Sequence, residues 1–400
     1  MLNFISGSKK SIIINATNIG HKINGIGNYT LQLIKQLVSM DSNINFIVYF
    51  NNTCKVHVEK FNFPNNFEVR WVNKWLSPDK KFFGHLLRLF YSNYLATKHM
   101  GQLQFNTSPL EVCFFKKNQI VTVHDVIPIL FKKLHKKQYH FYKVILKYVL
   151  RQVKMVITPS RYTKDLVHKY YGLRESKVQA IPLAIDKVAC QYKDEVPAQS
   201  PYILYVGRIN EMKNISQIIK SYLIARNTLD IDLIIVGDDK EKFDYMLEET
   251  KCDADTKSKI KFYQNVSEVE KNKLMNNAEL FLYPTLFEGF GFPPLEAMSN
   301  GCPVIVSDNS SFPEVCANAA YYVDPKNEKE IANGIVEVLT NHALKAQLIK
   351  KGLERVQLFS WRETALEHMN VLKSILYEPN TVRYNKPTIQ KSFVLKEGKS

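Results

Sequence analysis

Cysteine is sparse in this chain, and its six copies, Cys54, Cys113, Cys190, Cys252, Cys302 and Cys316, form no C-x-x-C pair. Neither a zinc knuckle nor a disulfide framework is suggested. Long apolar runs are missing as well: the longest, such as Tyr202 to Val206 and Leu233 to Val236, are far too short to span a bilayer. The opening MLNFISGSKKSIIINAT has its lysines in the wrong place for a signal peptide, and its isoleucines run on into a plausible first strand, so the chain is expected to stay in the cytoplasm. Short-period repeats and low-complexity blocks are absent too.

Acidic residues are rare in the first half. Residues 1–190 hold 28 lysines and arginines against 9 acids, whereas 191–400 hold 26 against 29, and the formal net charge is +16. An asymmetry of this size marks the first half as the one that faces something anionic: nucleic acid, a membrane surface or a diphosphate-bearing lipid.

What is present is a long alternation of short β-like runs with helical periodicity, over 400 residues that are 45% hydrophobic. That pattern predicts an α/β protein of two or three domains with parallel sheets. The strands are expected at 11–16, 45–50, 67–72, 102–106, 120–123 and 155–158, then at 202–207, 232–237, 261–263, 280–283, 304–307 and 320–323. Lys187 to Ser200, with Pro197 and many polar residues, is the expected linker. Two similar halves so joined predict two lobes and a cleft.

The richest stretch is LFLYPTLFEGFGFPPLEAMSNGCPVIV, Leu280 to Val306. Two apolar runs flank a loop with Glu288, Gly289 and Gly291, and a short helix with Glu296. Pro293-Pro294 forbids a continuous helix from Glu288, so the helix is expected to start near Pro294, with Glu296 in its first turn. The glycines let the backbone approach a ligand, and the helix start offers free N–H groups. Such a loop can donate to hydroxyls or phosphate, with two carboxylates beside it. A dipole-stabilised helix-start glutamate is the plainer reading of Glu296, but Pro293 stands where its capping partner would be.

Elsewhere, Gly207-Arg208 follows a strand and Lys213 lies five residues on, with Asn214 the expected N-cap of a helix from Ile215 to Ala225. A guanidinium fork and an ammonium beside a helix start suit phosphate oxygens. Near the N-terminus, Asn24-Gly25-Ile26-Gly27-Asn28-Tyr29-Thr30 leads towards a helix over Leu31–Val38. It starts like a dinucleotide fingerprint, but Thr30 replaces the third glycine and no acid follows some twenty residues on, which argues against nicotinamide binding. His124-Asp125 ends an apolar strand. Thr158-Pro159-Ser160-Arg161 reads as a helix cap. Asp230-Ile-Asp232 and Asp253-Ala-Asp255 could be taken for a metal site, but read as solvent-facing. Phe82 to Met100 is aromatic and basic at helical spacing, explained equally by a surface for acceptor or membrane and by core packing.

Lys136, His140, Lys143, Lys147, Arg151 and Lys154 recur at helical spacing with almost no acids between them, predicting one basic helical face. Near an anionic leaflet each such residue contributes about 1 kcal/mol, which favours a peripheral membrane contact over nucleic acid.

The pattern Glu288-Gly-Phe-Gly-Phe-Pro-Pro-Leu-Glu296, with Gly207-Arg208…Lys213, resembles the retaining, nucleotide-sugar-dependent glycosyltransferases of family 4. The resemblance covers nearly the full chain and is strongest from Pro201 to Leu339. It implies the GT-B fold, two Rossmann-like domains whose parallel sheets face across a cleft. Residues 1–190 would form the acceptor-side domain, 200–360 the nucleotide-sugar domain, 361–378 a helix crossing back, and 379–400 a tail.

It further implies that Glu296 holds the ribose, Val266 the nucleobase, and Arg208, Lys213 and the Gly25 and Gly27 loop the diphosphate. Glu288, Gly289 and the amides of Phe290, Gly291 and Phe292 would hold the sugar hydroxyls, with His124 near the donor sugar. Catalysis would fall to Glu288, His124, Arg208 and Lys213, with no metal and no cofactor. GIGNYT and the His-Asp-Val-Ile-Pro run look like mannosyltransferases of bacterial surface polysaccharides. The implied donor is therefore GDP-mannose, ahead of UDP-glucose or UDP-N-acetylglucosamine, and the acceptor a lipid-linked oligosaccharide at the inner membrane face. Retention would come either from Glu288 as nucleophile or from the leaving phosphate steering the acceptor, which the family favours. A nucleotide-sugar 2-epimerase is the competing enzyme class. A non-catalytic glycan-binding relative is opposed by the intact Arg208, Lys213, Glu288 and Glu296.

Overall fold

A computed structural model describes residues 10–186 and 200–377, and the chain forms two compact units. The described part of one covers 10–183 and 361–377, and that of the other 184–186 and 200–360. The expected linker, all but Ser200, and the expected tail lie outside the described residues, as does Cys190.

The first unit holds a seven-stranded sheet of β1 (Ser11–Asn15), β2 (Asn45–Asn51), β3 (Phe67–Val72), β4 (Leu103–Asn106), β5 (Gln119–Thr122), β6 (Met155–Thr158) and β7 (Val178–Ala180), in the order β3-β2-β1-β4-β5-β6-β7. The second holds six, β8 (Tyr202–Val206), β9 (Asp232–Gly237), β10 (Ile260–Gln264), β11 (Leu280–Tyr283), β12 (Val304–Ser307) and β13 (Tyr321–Val323), in the order β10-β9-β8-β11-β12-β13. All pairings are parallel. The central strands are apolar on both faces because helices cover both: Ile12, Ile13, Ile14, Leu280, Phe281 and Leu282 are wholly buried. Twelve strands fall where the apolar runs place them; β7, three residues without such a run, does not.

Each sheet reverses its strand order once, between β1 and β4 and between β8 and β11. Loops leaving the carboxyl ends of strands on either side of such a reversal diverge and open a crevice, the usual seat of a ligand. Those loops carry most of the candidate residues; His124 follows β5 and Val266 follows β10.

Four local expectations need correction. The glycine-loop helix runs Gly25–Val38 rather than starting at Leu31, because the Asn24 side chain caps it by accepting from the Gly27 amide at 2.9 Å. Asn24 is a strong N-cap residue, so both glycines lie in the first turn. The helix after Gly291 begins at Phe292 and ends at Ser299, which puts Glu296 past the first turn. Asn214 precedes its helix in the left-handed region (φ 64°) and makes no side-chain cap. Lys132–Lys154 is not one regular helix. It is helical only from Lys136 to Gln152, through Lys136–His140, a π turn over Phe141–Leu146 and Lys147–Gln152, while the Lys154 amide already bonds Gln119 O of β5. The π turn adds a residue and breaks the 3.6-residue register, so Val144, Ile145 and Tyr148 come out exposed among the lysines.

The helix Trp361–Tyr377 belongs to the first unit. Its buried His368 Nε2 meets the Tyr29 hydroxyl of the glycine-loop helix at 2.8 Å, and the Tyr29 hydroxyl lies 3.0 Å from Thr122 Oγ1 at the end of β5.

Candidate functional site

In the second unit the loops after β8 and β11 meet at the order reversal. Asn210 caps a short 3₁₀ turn, Glu211–Lys213, by accepting from the Lys213 amide at 3.1 Å. The Asn214 side chain then donates to Pro284 O at 2.9 Å and to Pro325 O at 2.6 Å, pinning the end of this turn to the loops after β11 and β13. Leu286 N donates to Met212 O at 2.8 Å, a second stitch between the two loops. Sequence reading took Asn214 for a cap; a side chain that reaches two distant carbonyls has no signature in local pattern.

So held, Lys213 forms an ion pair with Glu288, and both meet the hydroxyl of Tyr283, the last residue of β11. Lys213 Nζ donates to Tyr283 Oη at 3.0 Å, and Tyr283 Oη donates to Glu288 Oε1 at 3.0 Å. Lys213 Nζ also sits 5.3 Å from the centre of the Tyr283 ring. Tyr283 is buried, and burial together with the Glu288 charge pushes its phenol well above the usual range, so it stays neutral. Tyr205 stacks on it at 5.6 Å and donates its own hydroxyl to Arg208 O at 3.0 Å. A Cβ on Gly207 would meet that hydroxyl at 2.5 Å, which is why glycine precedes Arg208. Arg208 is exposed, and among the described residues its guanidinium carries no hydrogen bond or ion pair.

The loop from Glu288 to Gly291 is fixed from below by Ser311, whose hydroxyl bonds Phe290 O at 2.7 Å and Glu288 O at 3.1 Å. Gly291 has φ 102°, and a Cβ there would lie 2.8 Å from the buried Phe312 ring. Pro293 and Pro294 have no N–H, so two of the first four helical residues offer no donor, and amide donors at this end must come from the loop and from Phe292. Glu296 lies farther along the helix, with Oε2 at 3.1 Å from Lys271 Nζ. Val266 is half-buried just past the end of β10, between Asn265 in the left-handed region (φ 58°) and Ser267, which caps the helix Glu268–Asn277. Sequence reasoning missed Tyr283, Ser311 and Lys271. Only Tyr283 carried a signal, a polar-tipped aromatic ending an apolar strand.

In the first unit the order reversal gathers a separate cluster. His124 Nε2 donates to Thr107 O at 2.8 Å, while Asn18 and Thr30 each reach Thr107 Oγ1 at 2.9 Å. The carbonyl can only accept, so the imidazole proton sits on Nε2 and Nδ1 is an acceptor. Burial lowers His124 to about 4, so it is neutral near pH 7, and the Tyr29 ring stands edge-on to it at 4.9 Å. Asp125 accepts from Ile127 N, the first residue of the helix Ile127–Leu130, at 3.0 Å. Ser160 caps the helix Arg161–Tyr171.

The Asp-x-Asp triplets have structural partners. Asp253 caps a short helix by accepting from Thr256 N at 2.7 Å, and Asp255 pairs with Arg226 at 2.6 Å. Asp232, expected at the surface, is instead buried against Lys261 at 2.7 Å because β9 is covered on both faces.

Comparison with known proteins accords with this geometry. The model for Glycosyltransferase Family 4 matches residues 23–188, and that for glycosyl transferases group 1 matches 191–355. The O-antigen chain mannosyltransferase RfbU of Salmonella typhimurium is 28% identical over 336 residues, 82% of this chain and 90% of that one. Sucrose-phosphate synthase from Thermosynechococcus elongatus superposes with a TM-score of 0.69 at 18% identity, over 92% of this chain and 99% of that one. Anabaena HepE, solved with UDP and glucose, gives 0.66 at 16% identity over 91% of this chain and 100% of that one. The fold is GT-B, and the protein is a glycosyltransferase. The chain belongs to glycosyltransferase family 4.

Proposed function

We propose that the protein is a retaining hexosyltransferase of surface-glycan synthesis, moving mannose from GDP-mannose to a growing lipid-linked oligosaccharide. The observation that carries this reading is the grouping of Lys213, Tyr283 and Glu288 beside Arg208, unpaired among the described residues, at one sheet's order reversal. A departing nucleoside diphosphate builds charge that Arg208 and Lys213 neutralise, and fixed donors of this kind need no reorganisation at the moment of transfer. Glu296 takes the ribose, the backbone at Val266 the base, and Glu288 with the loop amides the sugar hydroxyls. The glycine loop of Gly25 and Gly27 adds donors to the diphosphate through amides other than that of Gly27, which Asn24 occupies. His124, with its acceptor nitrogen, serves a hydroxyl. No metal or cofactor is assigned a role. Retention is read as the acceptor hydroxyl entering on the face the leaving phosphate vacates, steered by that phosphate, with Glu288 holding the sugar. The choice of mannose is supported by the Salmonella relative's name.

The test is a donor screen with purified protein, following release of GDP or UDP in EDTA with and without lipid-linked acceptor. Acceptor-dependent GDP release from GDP-mannose is expected. Release that needs no acceptor points to an epimerase, and a strict divalent-ion requirement overturns the chemistry.

Among the described residues no helix is long and apolar enough to cross a membrane. The acceptor's lipid is instead met by peripheral contact with an anionic surface through the first unit. On the helix Lys81–Lys98, Phe83, Leu86, Phe90 and Tyr94 are exposed at helical spacing, Phe90 by 62%. Leu89 of that helix and Phe141 of the basic segment pack on one core cluster, where Lys143, Lys147 and Arg151 surround exposed Val144, Ile145 and Tyr148. Neutralising Lys143, Lys147 and Arg151 to Gln is expected to cut binding to vesicles containing anionic lipid by about a hundredfold. Equal binding of native protein to neutral vesicles contradicts the electrostatic part.

A further inference from the structure

Glu296 has a partner that no motif announces. Its Oε2 lies 3.1 Å from Lys271 Nζ, and Lys271 also pairs with Glu268 at 2.8 Å on its own helix. Both functional ends of this contact are withdrawn from water: the Lys271 side chain is 14% exposed and that of Glu296 28%. The two helices are joined again where Asn300 Nδ2 meets Asn272 Oδ1 at 3.3 Å. Burial works against the charge on Lys271, and Glu296 and Glu268 more than offset it, holding its pKa above the ordinary lysine value.

The helix that carries Lys271, Glu268–Asn277, starts two residues after Val266 and is locked at its start by a capping box in which Ser267 and Glu270 exchange bonds. One rigid element therefore joins the segment read as the base contact to the cation on the carboxylate read as the ribose contact. A glutamate side chain has three rotatable bonds, and an unsupported one loses freedom when it binds a hydroxyl. Lys271 removes that freedom in advance by taking Oε2, and it leaves Oε1 to accept.

We propose that Lys271 is a positioning residue that orients Glu296 towards the ribose hydroxyls and so sets the preference for ribose over deoxyribose nucleotides. The proposal rests on the reading of Glu296 as the ribose contact.

The measurement is competitive inhibition of the native enzyme and of Lys271→Gln, Lys271→Met and Glu268→Gln by GDP, UDP and their 2′-deoxy and 3′-deoxy forms. Thermal unfolding is followed in parallel. A charge-assisted hydrogen bond separates the native enzyme's affinities for the ribose and deoxyribose forms by roughly tenfold or more. In Lys271→Gln and Lys271→Met that ratio is expected to fall to within about threefold, with KM for the donor raised and kcat nearly unchanged. Glu268→Gln, which leaves the Glu296 contact in place, keeps the native ratio. Equal weakening of ribose and deoxyribose forms, or a native ratio in the Lys271 variants, overturns the proposal, and so does collapse of the ratio in Glu268→Gln. Glu268→Gln is the control that removes a charge from the same helix without touching the Glu296 contact. Failure of the native enzyme to bind GDP or UDP overturns instead the donor-site reading beneath it.

Discussion

Lys213 and Glu288 stand 75 positions apart in the chain, yet their side chains form an ion pair and share one hydroxyl, that of Tyr283. In the described structure the cation assigned to phosphate and the carboxylate assigned to sugar neutralise each other. Both are only about one-seventh exposed, at 16% and 13%, so an unpaired charge here would be costly. Under the function proposed above, donor binding would exchange this pair for contacts to diphosphate and sugar. The Tyr283 hydroxyl is the anchor that both side chains share.

Removing the cation tests the electrostatic account directly. Lys213→Ala is expected to lower kcat by roughly 10²–10³, the usual effect of losing one fixed donor to developing charge. Glu288→Gln with Lys213 intact should also slow transfer, but it frees the ammonium, so the nucleoside diphosphate product should bind more tightly. Steady-state kinetics with product inhibition reads both. Full activity in Lys213→Ala removes the basis of the mechanism.

Tyr283→Phe deletes the shared hydroxyl and leaves the stacked ring. Two buried hydrogen bonds disappear, at a stability cost of about 1–3 kcal/mol. Because the two charges lose their common anchor, kcat should fall about tenfold with KM changed less than threefold. An unchanged kcat would assign Tyr283 to packing alone.

Gly291→Ala should damage the loop without touching any charge. At φ 102° an alanine is strained, and its Cβ would approach Phe312 to 2.8 Å. A loss of about 2–3 kcal/mol in stability is expected from the strain and the contact together. Calorimetry should show it, with sugar-donor KM rising alongside. Thermal stability equal to the native protein's would mean that the loop relaxes freely.

The pH dependence of stability has two opposing parts in the first unit. Burial lowers both His124 and His368 from 6.5 to about 4. Between those values the unfolded chain binds protons that the folded chain refuses, so stability is lost as pH falls from about 6.5 towards 4. Glu367 runs the other way: burial, reinforced by Glu363, raises it from 4.5 to about 7. The folded carboxyl there keeps a proton that the unfolded chain has released, so this contribution is lost as pH rises from about 4.5 to 7. Both Glu367 oxygens are buried without a hydrogen-bond partner among the described residues. Glu367→Gln is therefore expected to stabilise the protein at pH 8 by up to about 3 kcal/mol and to have a much smaller effect near pH 5. Denaturant melts at the two pH values decide it.

Much of this was legible in the chain itself. Strands buried on both faces must be apolar throughout, so runs such as Ser-Ile-Ile-Ile-Asn and Leu-Phe-Leu-Tyr announce a parallel sheet, and glycines and prolines mark where each run ends. The Glu288 to Glu296 spacing and the Arg208 and Lys213 pair could be read because each lies within one loop or turn. Lys132–Lys154 misled because a π turn obeys no 3.6-residue period, and Asn214 because a cap residue and a long-range staple have the same composition.

By itself, the order of residues determined two parallel sheets, the loops that end on them, and the charges available to a nucleotide sugar, since local pattern and burial act over short distances. Only the tertiary structure decided that Lys213 pairs with Glu288 through Tyr283, that Ser311 holds the loop, and that Lys271 grips Glu296. Those contacts join residues from 21 to 75 positions apart. They arise because strand order reverses at β8 and β11, which brings the ends of non-consecutive strands to one place, and no local periodicity encodes that.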